Sequence, residues 1–428
     1  MFRVLILATT TGYQTRAFGD AAARLGIELI FATDRCHMLE DPWRDAAIAI
    51  RFSDEASSVQ AILDASARMR IDGVVAVGDR PTVVAARVGE AVGLPWHGSD
   101  AAAAARTKHL TRTRFRAAGL LVPAFAQHPV TVDPLAIANT VVYPAVVKPL
   151  ALSGSRGVVR VDDHVELAAA LARLRTLLAS PDVRAERDPA HDLVLIEQFV
   201  DGKEFAVEGV LNHGELHVLA VFDKPDPLDG PFFEETIYVT PSRAPAAIQA
   251  AITDAVAQAA SALGLCHGPI HAECRVNARG VFVLEVAARP IGGLCARALR
   301  LVPGQGALAP PIALEELLLR HALGETSTSW EREAAASAVM MIPIPRRGIF
   351  NGVEGVDAAR AVRGIEDIQV TAKAGQVLVP LPEGATYLGF IFARAEGPVI
   401  AEAAIRAAHA RLEITILPEV RVLQSRHG

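Results

Sequence analysis

Residues 271–293, HAECRVNARGVFVLEVAARPIGG, read as two strands joined by a tight turn, and they set two carboxylates side by side. With Gly280 in the left-handed position of a three-residue loop, Asn277 pairs with Val281 and Glu273 falls opposite Glu285. Cβ atoms of such neighbours lie about 4.5–5.5 Å apart, where two carboxylates repel unless a cation sits between them. Oxygen-only ligands in a partly open site suit Mg²⁺, which binds through one or two carboxylates and the phosphates of a nucleotide. Alternation puts Val281, Val283, Glu285, Ala287 and Arg289 on one face and Phe282, Leu284 and Val286 on the buried one. His271, Glu273 and Arg275 line up likewise on the first arm. The same pattern also describes a solvated sheet face with surface ion pairs, which contribute little. A zinc site from Cys266, His267, His271 and Cys274 is disfavoured, because on a strand His271 and Cys274 point to opposite faces.

A chain of 428 residues, 51% of them hydrophobic, is expected to fold as two to four domains or subdomains with substantial cores. A net charge of −6 without basic runs argues against a nucleic-acid partner. No stretch approaches the roughly 20 apolar residues of a membrane span, so no membrane partner is expected. The opening MFRVLILATTTG reads as a first buried strand rather than a signal peptide. Four cysteines without a framework spacing read as free thiols of a reducing compartment, with the cytoplasm as the default location.

The fold class expected is α/β and α+β multidomain. Val4–Ala8, helix Ala17–Leu25 closed by Gly26, and Ile27–Ala32 give the βαβ rhythm of an open parallel sheet. Helix Val59–Arg70, strand Val74–Val77 and helix Thr82–Val92, ending at Gly93, continue it. Gly78, Asp79 and Arg80 then stand at a strand end, where such sheets bind ligands. Thr9-Thr10-Thr11-Gly12 replaces a G-x-G-x-x-G, which disfavours a dinucleotide. Farther on come a basic helix Thr107–Ala118 ending at Gly119, strands Val141–Lys148 and Leu193–Val200, and a helix opened by Asp163 with Glu166 as capping box. Asp182–Asp192 reads as a charged loop. A helix carrying Ile248, Ile252, Val256 and Leu263 precedes the hairpin, Pro311–Leu323 reads as a helix, and Thr326–Glu333 as a polar linker. Strands Ala338–Ile344, Ile368–Thr371, Tyr387–Ala393 and Glu413–Leu417 with helix Val399–Arg411 form a C-terminal α+β unit.

Three further stretches carry chemistry. In KPLALSGSRGVVRV, Lys148 ends a strand before the loop Ser153-Gly154-Ser155-Arg156-Gly157, whose small residues let backbone N–H groups approach phosphate oxygens while the lysine adds a point charge. The glycine spacing rules out a Walker A loop, and an ordinary hairpin turn is the alternative. Lys108 begins the basic helix. In VLIEQFVDGKEFAVEGV, the extended run Glu197-Gln198-Phe199-Val200 offers backbone groups to an adenine edge, and Glu204 a carboxylate for ribose hydroxyls.

Taken in order, Lys108, Lys148 with Ser153–Gly157, Glu197–Val200 with Glu204, and Glu273 with Glu285 and Arg289 resemble the ATP-grasp superfamily over about Thr107–Arg297. The segments GPIHAE, ARPIGGL, DKPDPLDGPFFEETIYVTPS and MMIPIPRRGIF…YLGFIFARA resemble its L-amino acid ligase branch, which makes dipeptides. The resemblance implies an N-terminal domain over 1–106, an ATP-grasp domain over 107–325 with a lid at about 140–200, and a C-terminal subdomain over 334–428. It implies an ATP-dependent carboxylate–amine ligase that forms an acylphosphate. Lys108, Lys148 and the loop of Ser153, Gly154, Ser155 and Gly157 would hold phosphates. Glu197, Phe199 and Val200 would line adenine, Glu204 would take ribose, and Glu273 and Glu285 would bind Mg²⁺, one or two ions, with Mn²⁺ as a substitute. The family's Asn two residues after the second acid is here Ala287, which offers no oxygen to a second ion.

On the same expectation Arg289 stabilises the acylphosphate with the backbone of Gly292 and Gly293 close by, Lys148 assists, and His271 deprotonates the amine. Glu234 or Glu235 binds a substrate ammonium. The partners expected are a small carboxylate and an amine, both amino acids, with homodimerisation known only from the family. Two rivals remain: a carboxylase activating bicarbonate as carboxyphosphate, and a nucleotide-binding protein without turnover.

Overall fold

Strand Arg3–Ala8, whose Val4 to Leu7 are wholly inaccessible to solvent, sits between Glu28–Thr33 and Gly73–Val77 in a parallel sheet that Ile48–Ala49 completes at one edge. The computed structural model describes residues 1–9, 14–34, 47–304 and 309–419, so Thr10 to Gly12 of the first loop, Cys36 and the last nine residues lie outside it. Helices Thr15–Leu25 and Thr82–Val92 stop at Gly26 and Gly93, both with positive φ, as the sequence indicates. Helix Glu55–Ser66 begins and ends four residues before the expected span, because the Asp54 side chain accepts from the Ser57 N–H and caps it. Gly73 packs against the end of helix Leu314–Ala322; a Cβ there would lie 2.7 Å from the Ala322 carbonyl oxygen. Close approach of backbones thus fixes this sheet to the rest of the molecule, and places Asp79, just past strand Gly73–Val77, beside the hairpin.

Strands Phe125–Pro129, Leu193–Gln198, Ala145–Pro149 and Val159–Val161 form an antiparallel sheet in that order, covered by helix His164–Leu178. Asp163 accepts from the Val165 and Glu166 N–H groups, and Glu166 in return accepts from the Asp162 N–H. The helix buries Leu167, Leu171, Leu174 and Leu178 on the sheet. Asp182–Asp192, expected to be a loop, contains the short helix Pro181–Ala185 and a 3₁₀ turn started by Pro189.

The largest sheet has eight antiparallel strands in the order Gly280–Ala287, Gly268–Asn277, Lys203–Asn212, Glu215–Asp223, Ile237–Thr240, Ala336–Ile342, Gly389–Ala395 and Ile365–Val370. Strand Ile237–Thr240 pairs with Ala336–Ile342, so the C-terminal strands extend the sheet that carries the hairpin. Thr326–Glu333 is not a linker: Trp330–Arg332 pairs with Arg300–Pro303, and the buried Trp330 indole donates to Glu325 at 2.8 Å. One large apolar anchor outweighs the polar composition around it. Strand Gly348–Glu354, which the sequence pattern does not signal, pairs with Glu413–Leu417.

A stack of histidines joins these units away from the hairpin. His267 lies with its ring centroid 4.2 Å from that of His321 and 4.6 Å from that of His213, and neither of its nitrogens has a hydrogen-bond partner among the described residues. Burial, with the neighbouring imidazoles, pushes His267 down to about 3; burial pushes His97 down to about 4. Folded values below the ordinary 6.5 mean that the unfolded chain binds more protons. Stability from these groups is therefore complete above about pH 6.5 and is lost as pH falls toward 4, at about 1.4 kcal/mol per pH unit for each. Urea midpoints measured between pH 7 and 4.5 should fall with that slope, and His267→Leu should flatten the fall; an unchanged slope in the variant would contradict this.

Candidate active site

The hairpin reaches the expected juxtaposition by a different route. Asn277 pairs with Gly280 across a two-residue turn, and the register holds through Cys274 and Val283 before a bulge restores Glu273 opposite Glu285. The bulged residue is Leu284, whose carbonyl accepts from Arg112 Nη1 at 2.7 Å. Its side chain consequently leaves the buried face and lines the cavity beside Glu285, while Val283 enters the core. The strict alternation is corrected from Val281 to Leu284, because the bulge reverses the faces on its turn side. His271, Glu273 and Arg275 share a face as expected, and Cys274 points to the core on the other. No zinc set forms from Cys266, His267, His271 and Cys274: His267 belongs to the histidine stack, and among the described residues the one group of acids, histidines or cysteines with metal-ligand spacing is Glu204, Glu235 and Glu273.

A cavity of about 610 Å³ opens between the sheet of Ala145–Pro149 and Leu193–Gln198, the hairpin, Asp79 and the C-terminal strands. Lys108, Lys148, Ser153 to Ser155, Glu197, Phe199, Val200, Glu204, Glu235, His271, Glu273, Glu285, Arg289, Gly292 and Gly293 all line it. Two expected residues do not. Gly157 sits behind the loop, where a Cβ would lie 2.7 Å from Pro149 and 2.9 Å from Leu174, and its N–H donates to the Pro382 carbonyl. Glu234 lies outside the cavity and accepts from the Ile344 backbone; burial raises its carboxyl.

Lys108 reaches the backbone just before the Ser153–Gly157 loop, donating to the Leu152 carbonyl at 2.8 Å. Gly154 and Ser155 both have positive φ, 62° and 55°, and the Arg156 N–H donates to the Ser153 carbonyl, the pattern of a mirror-image β-turn. Lys148 donates to Glu197, which also receives Arg112 Nε at 2.9 Å and Nη2 at 3.2 Å. Against the cost of burial, Arg112 and Lys148 hold the Glu197 carboxyl down at about 2, and burial lowers Lys148. The Glu197 side chain is thus a buried counter-ion at the wall of the cavity. The Phe199 N–H is taken by the Pro144 carbonyl, and the Phe199 ring stacks with Phe233 beneath the guanidinium groups of Arg160 and Arg275.

Glu204 accepts from Lys224 at 2.8 Å and from Arg275 at 2.8 Å. Lys224 also meets Glu235 at 2.6 Å and Glu273 at 3.0 Å, with its ammonium over the Tyr238 ring. Three carboxylates therefore converge on a cation that the sequence supplies. Burial and the Glu273 charge raise Glu235 to about 7; burial is overcome at Glu273, which Lys224 holds well below the ordinary value. Glu285, in contrast, makes no ion pair or hydrogen bond among the described residues, although it lines the same cavity.

Arg289 is gripped in bidentate fashion by Asp79, Nε–Oδ1 2.9 Å and Nη2–Oδ2 3.1 Å, and Gly292 comes within 4.0 Å of its Nη1 when a Cβ is built there. His271 Nδ1 lies 3.0 Å from Glu208, which also accepts from the Ile291 N–H. Burial opposes its charge, but Glu208 and Glu273 raise the imidazole to about 9. His271 thus stands between two acids, its Nε2 3.9 Å from Glu273. The loop is tied to the C-terminal segment through Arg156 on the Glu383 carbonyl at 2.9 Å, and helix His164–Leu178 through Arg173 on the Glu383 carboxylate.

Arg112, Glu208, Lys224 and Tyr238 escaped the sequence reading. Lys224 and Tyr238 lie in a segment already quoted, and Lys224 set among Asp223, Asp226 and Asp229 is a legible signal. Arg112 reads as one surface charge of a basic helix, and nothing local marks it as buried.

The profile of the ATP-grasp domain matches residues 141–298, that of the ATP-grasp N-terminal domain 19–96, and that of L-amino acid ligase C-terminal domain 2 residues 340–416. The L-amino acid ligase of Bacillus licheniformis superposes with a TM-score of 0.81 at 26% identity, over 97% of this chain and 99% of that one. A D-alanine--D-alanine ligase of Ralstonia pickettii is 29% identical over 57% of this chain and 72% of its own. An uncharacterised Sinorhizobium fredii protein, y4rH, is 24% identical over 98% of this chain and 84% of its own. Together with the two opposed acids, the paired lysines and the loop above them, these matches show that the chain belongs to the ATP-grasp superfamily, as an ATP-dependent carboxylate–amine ligase with the C-terminal domain of the L-amino acid ligases.

Proposed function

We propose that the protein joins the carboxylate of one L-amino acid to the amine of another, using ATP and passing through an acylphosphate. The observation that carries this reading is the convergence of Glu273, Glu285, Arg289, Lys108 and Lys148 on one cavity of amino-acid and nucleotide size. Glu273 and Glu285 fit a divalent ion: hard oxygen donors, opposed in register, one of them without an ion pair or hydrogen bond among the described residues. Bound there, Mg²⁺ supplies charge neutralisation to the phosphates of ATP.

A substrate carboxylate oxygen forms a bond to the γ-phosphorus as the bond to ADP breaks. The amine nitrogen then bonds the acyl carbon, the carbon–oxygen bond to phosphate breaks, and the amine loses its proton to solvent. This chain's residues position and neutralise: Lys148 and Lys108 face the phosphates, and Arg289, aimed by Asp79, faces the acylphosphate oxygens. The loop Ser153–Gly157, tied to the C-terminal segment through Arg156 and Glu383, is the element whose closure would keep water from the acylphosphate.

The test is phosphate release across pairs of L-amino acids with mass spectrometry of the products. A dipeptide formed in step with ADP supports the reading. Phosphate release that needs bicarbonate and no amine would replace it with the carboxylase. Arg289→Ala should lower amide formation about 100-fold while changing ATP affinity little, since its partner Asp79 is outside the phosphate loop. Equal product formation by the variant would remove Arg289 from the reaction.

A further inference from the structure

Glu208 is wholly buried behind the cavity wall, and no step above uses it. It is the cross-strand partner of His271, and both of its oxygens accept from the Ile291 N–H, each at 3.1 Å. Among the described residues His271 is its one ionic partner. The Ile291 carbonyl is held from the opposite side, where Gln14 Nε2 donates to it at 2.6 Å. Gln14 stands at the start of helix Thr15–Leu25, yet its side chain makes no capping hydrogen bond there. Both side chains are buried, and each meets the Ile291 backbone rather than its side chain.

Ile291 is thus gripped through its N–H by the eight-stranded sheet and through its carbonyl by the N-terminal unit. Arg289, two residues earlier, is held by Asp79 of that same unit. Gly292 and Gly293 follow; they line the cavity, and their N–H groups have no hydrogen-bond partner among the described residues. Glycine has the least restricted backbone, so two glycines present fixed donors only where their neighbours are held. We propose that Glu208 and Gln14 are positioning residues, which fix the Ile291 peptide from both sides and so set where the Gly292 and Gly293 N–H groups meet the acyl oxygen under attack. The inference rests on the ligase reading above. As the amine nitrogen bonds the acyl carbon, the carbonyl electron pair moves onto that oxygen; as the carbon–oxygen bond to phosphate breaks, the pair returns. Donors preset for such a charge are worth about 10²–10³ in rate, and a displacement of about 1 Å costs about 10². A glutamine at position 208 keeps the volume but offers one oxygen in place of two, and turns an NH₂ toward Ile291 or His271.

The test follows dipeptide and phosphate together, with the pair of L-amino acids from which the parent enzyme makes most product. Glu208→Gln should lower kcat for dipeptide about 100-fold while KM for ATP stays within about threefold, because its partners are His271 and Ile291 rather than the lysines or the loop Ser153–Gly157. Dipeptide formed per phosphate released should fall at least about fivefold, since an acylphosphate that waits for its amine is lost to water. Gln14→Leu, which removes the donor on the far side of the peptide, should show the same split with a loss of about tenfold. The two losses should not multiply: the double variant should stay within about threefold of Glu208→Gln, because both act through one peptide. Folded variants with parental kcat and product ratio, losses that multiply, or a rise in KM for ATP as large as the fall in kcat would overturn the inference and leave the ligase reading standing. If the parent forms no dipeptide from any pair, both fall. Gln14→Leu decides the question where Glu208→Gln does not fold.

Discussion

Glu285→Gln is expected to lower phosphate release by at least about 100-fold at saturating Mg·ATP, with the fold intact. The loss follows from removing half of a preset anionic pair whose work is electrostatic, a class of contribution worth about 10²–10³ in rate. The fold is spared because Glu285 makes no ion pair among the described residues, so the neutral isostere leaves no buried charge behind, and stability should change by no more than about 0.5 kcal/mol. Glu273→Gln should be worse for stability, because Lys224 loses one of its three carboxylates. Phosphate release and urea unfolding on the same preparations separate the two effects. A Glu285→Gln protein with parental turnover would remove the metal role.

Glu197→Ala should lower stability by about 3–5 kcal/mol, the cost of leaving buried charges without their partner. Here two are stranded, Arg112 at 1% exposure and Lys148 at 9%. The bulge at Leu284 depends on the same arginine, so the hairpin that opposes Glu273 to Glu285 should lose its register and ATP binding should weaken with it. The pH dependence follows in sign. A carboxyl held at about 2 contributes stability above its ordinary value near 4.3, and that contribution is lost as pH falls from there toward 2. Denaturant midpoints at pH 7 for parent and variant check the size; a difference below about 1 kcal/mol would contradict a charged, buried triad.

Much of the fold is legible because its signals are local. Gly26, Gly93 and Asp163 end or begin helices by their own backbone or side-chain chemistry, and the strands Val74–Val77 and Glu413–Leu417 are compact apolar or alternating runs. Of the site, the pairing of Glu273 with Glu285 is legible from sequence parity alone. Its cause is not, since a three-residue loop and a two-residue turn with a bulge give the same pairing, and the bulge is fixed by Arg112 from a distant helix. What stays hidden is non-local. Glu197 and Glu204 read as ligand groups, yet their charges are matched from 85 residues away by Arg112 and from 71 by Arg275. Trp330 likewise reads as part of a polar linker until its partners Arg300–Pro303 and Glu325 are in place.

The claim on which the rest depends is that the hairpin seats a divalent ion between its two arms. Crystals grown with Mn²⁺ and a non-hydrolysable ATP analogue, measured at the manganese absorption edge, test it directly. The expected result is an anomalous peak coordinated by carboxylate oxygens of both Glu273 and Glu285, with the triphosphate against it and Lys148 facing the phosphates. A peak away from Glu285, or a triphosphate bound outside the cavity between the loop and the hairpin, would contradict it.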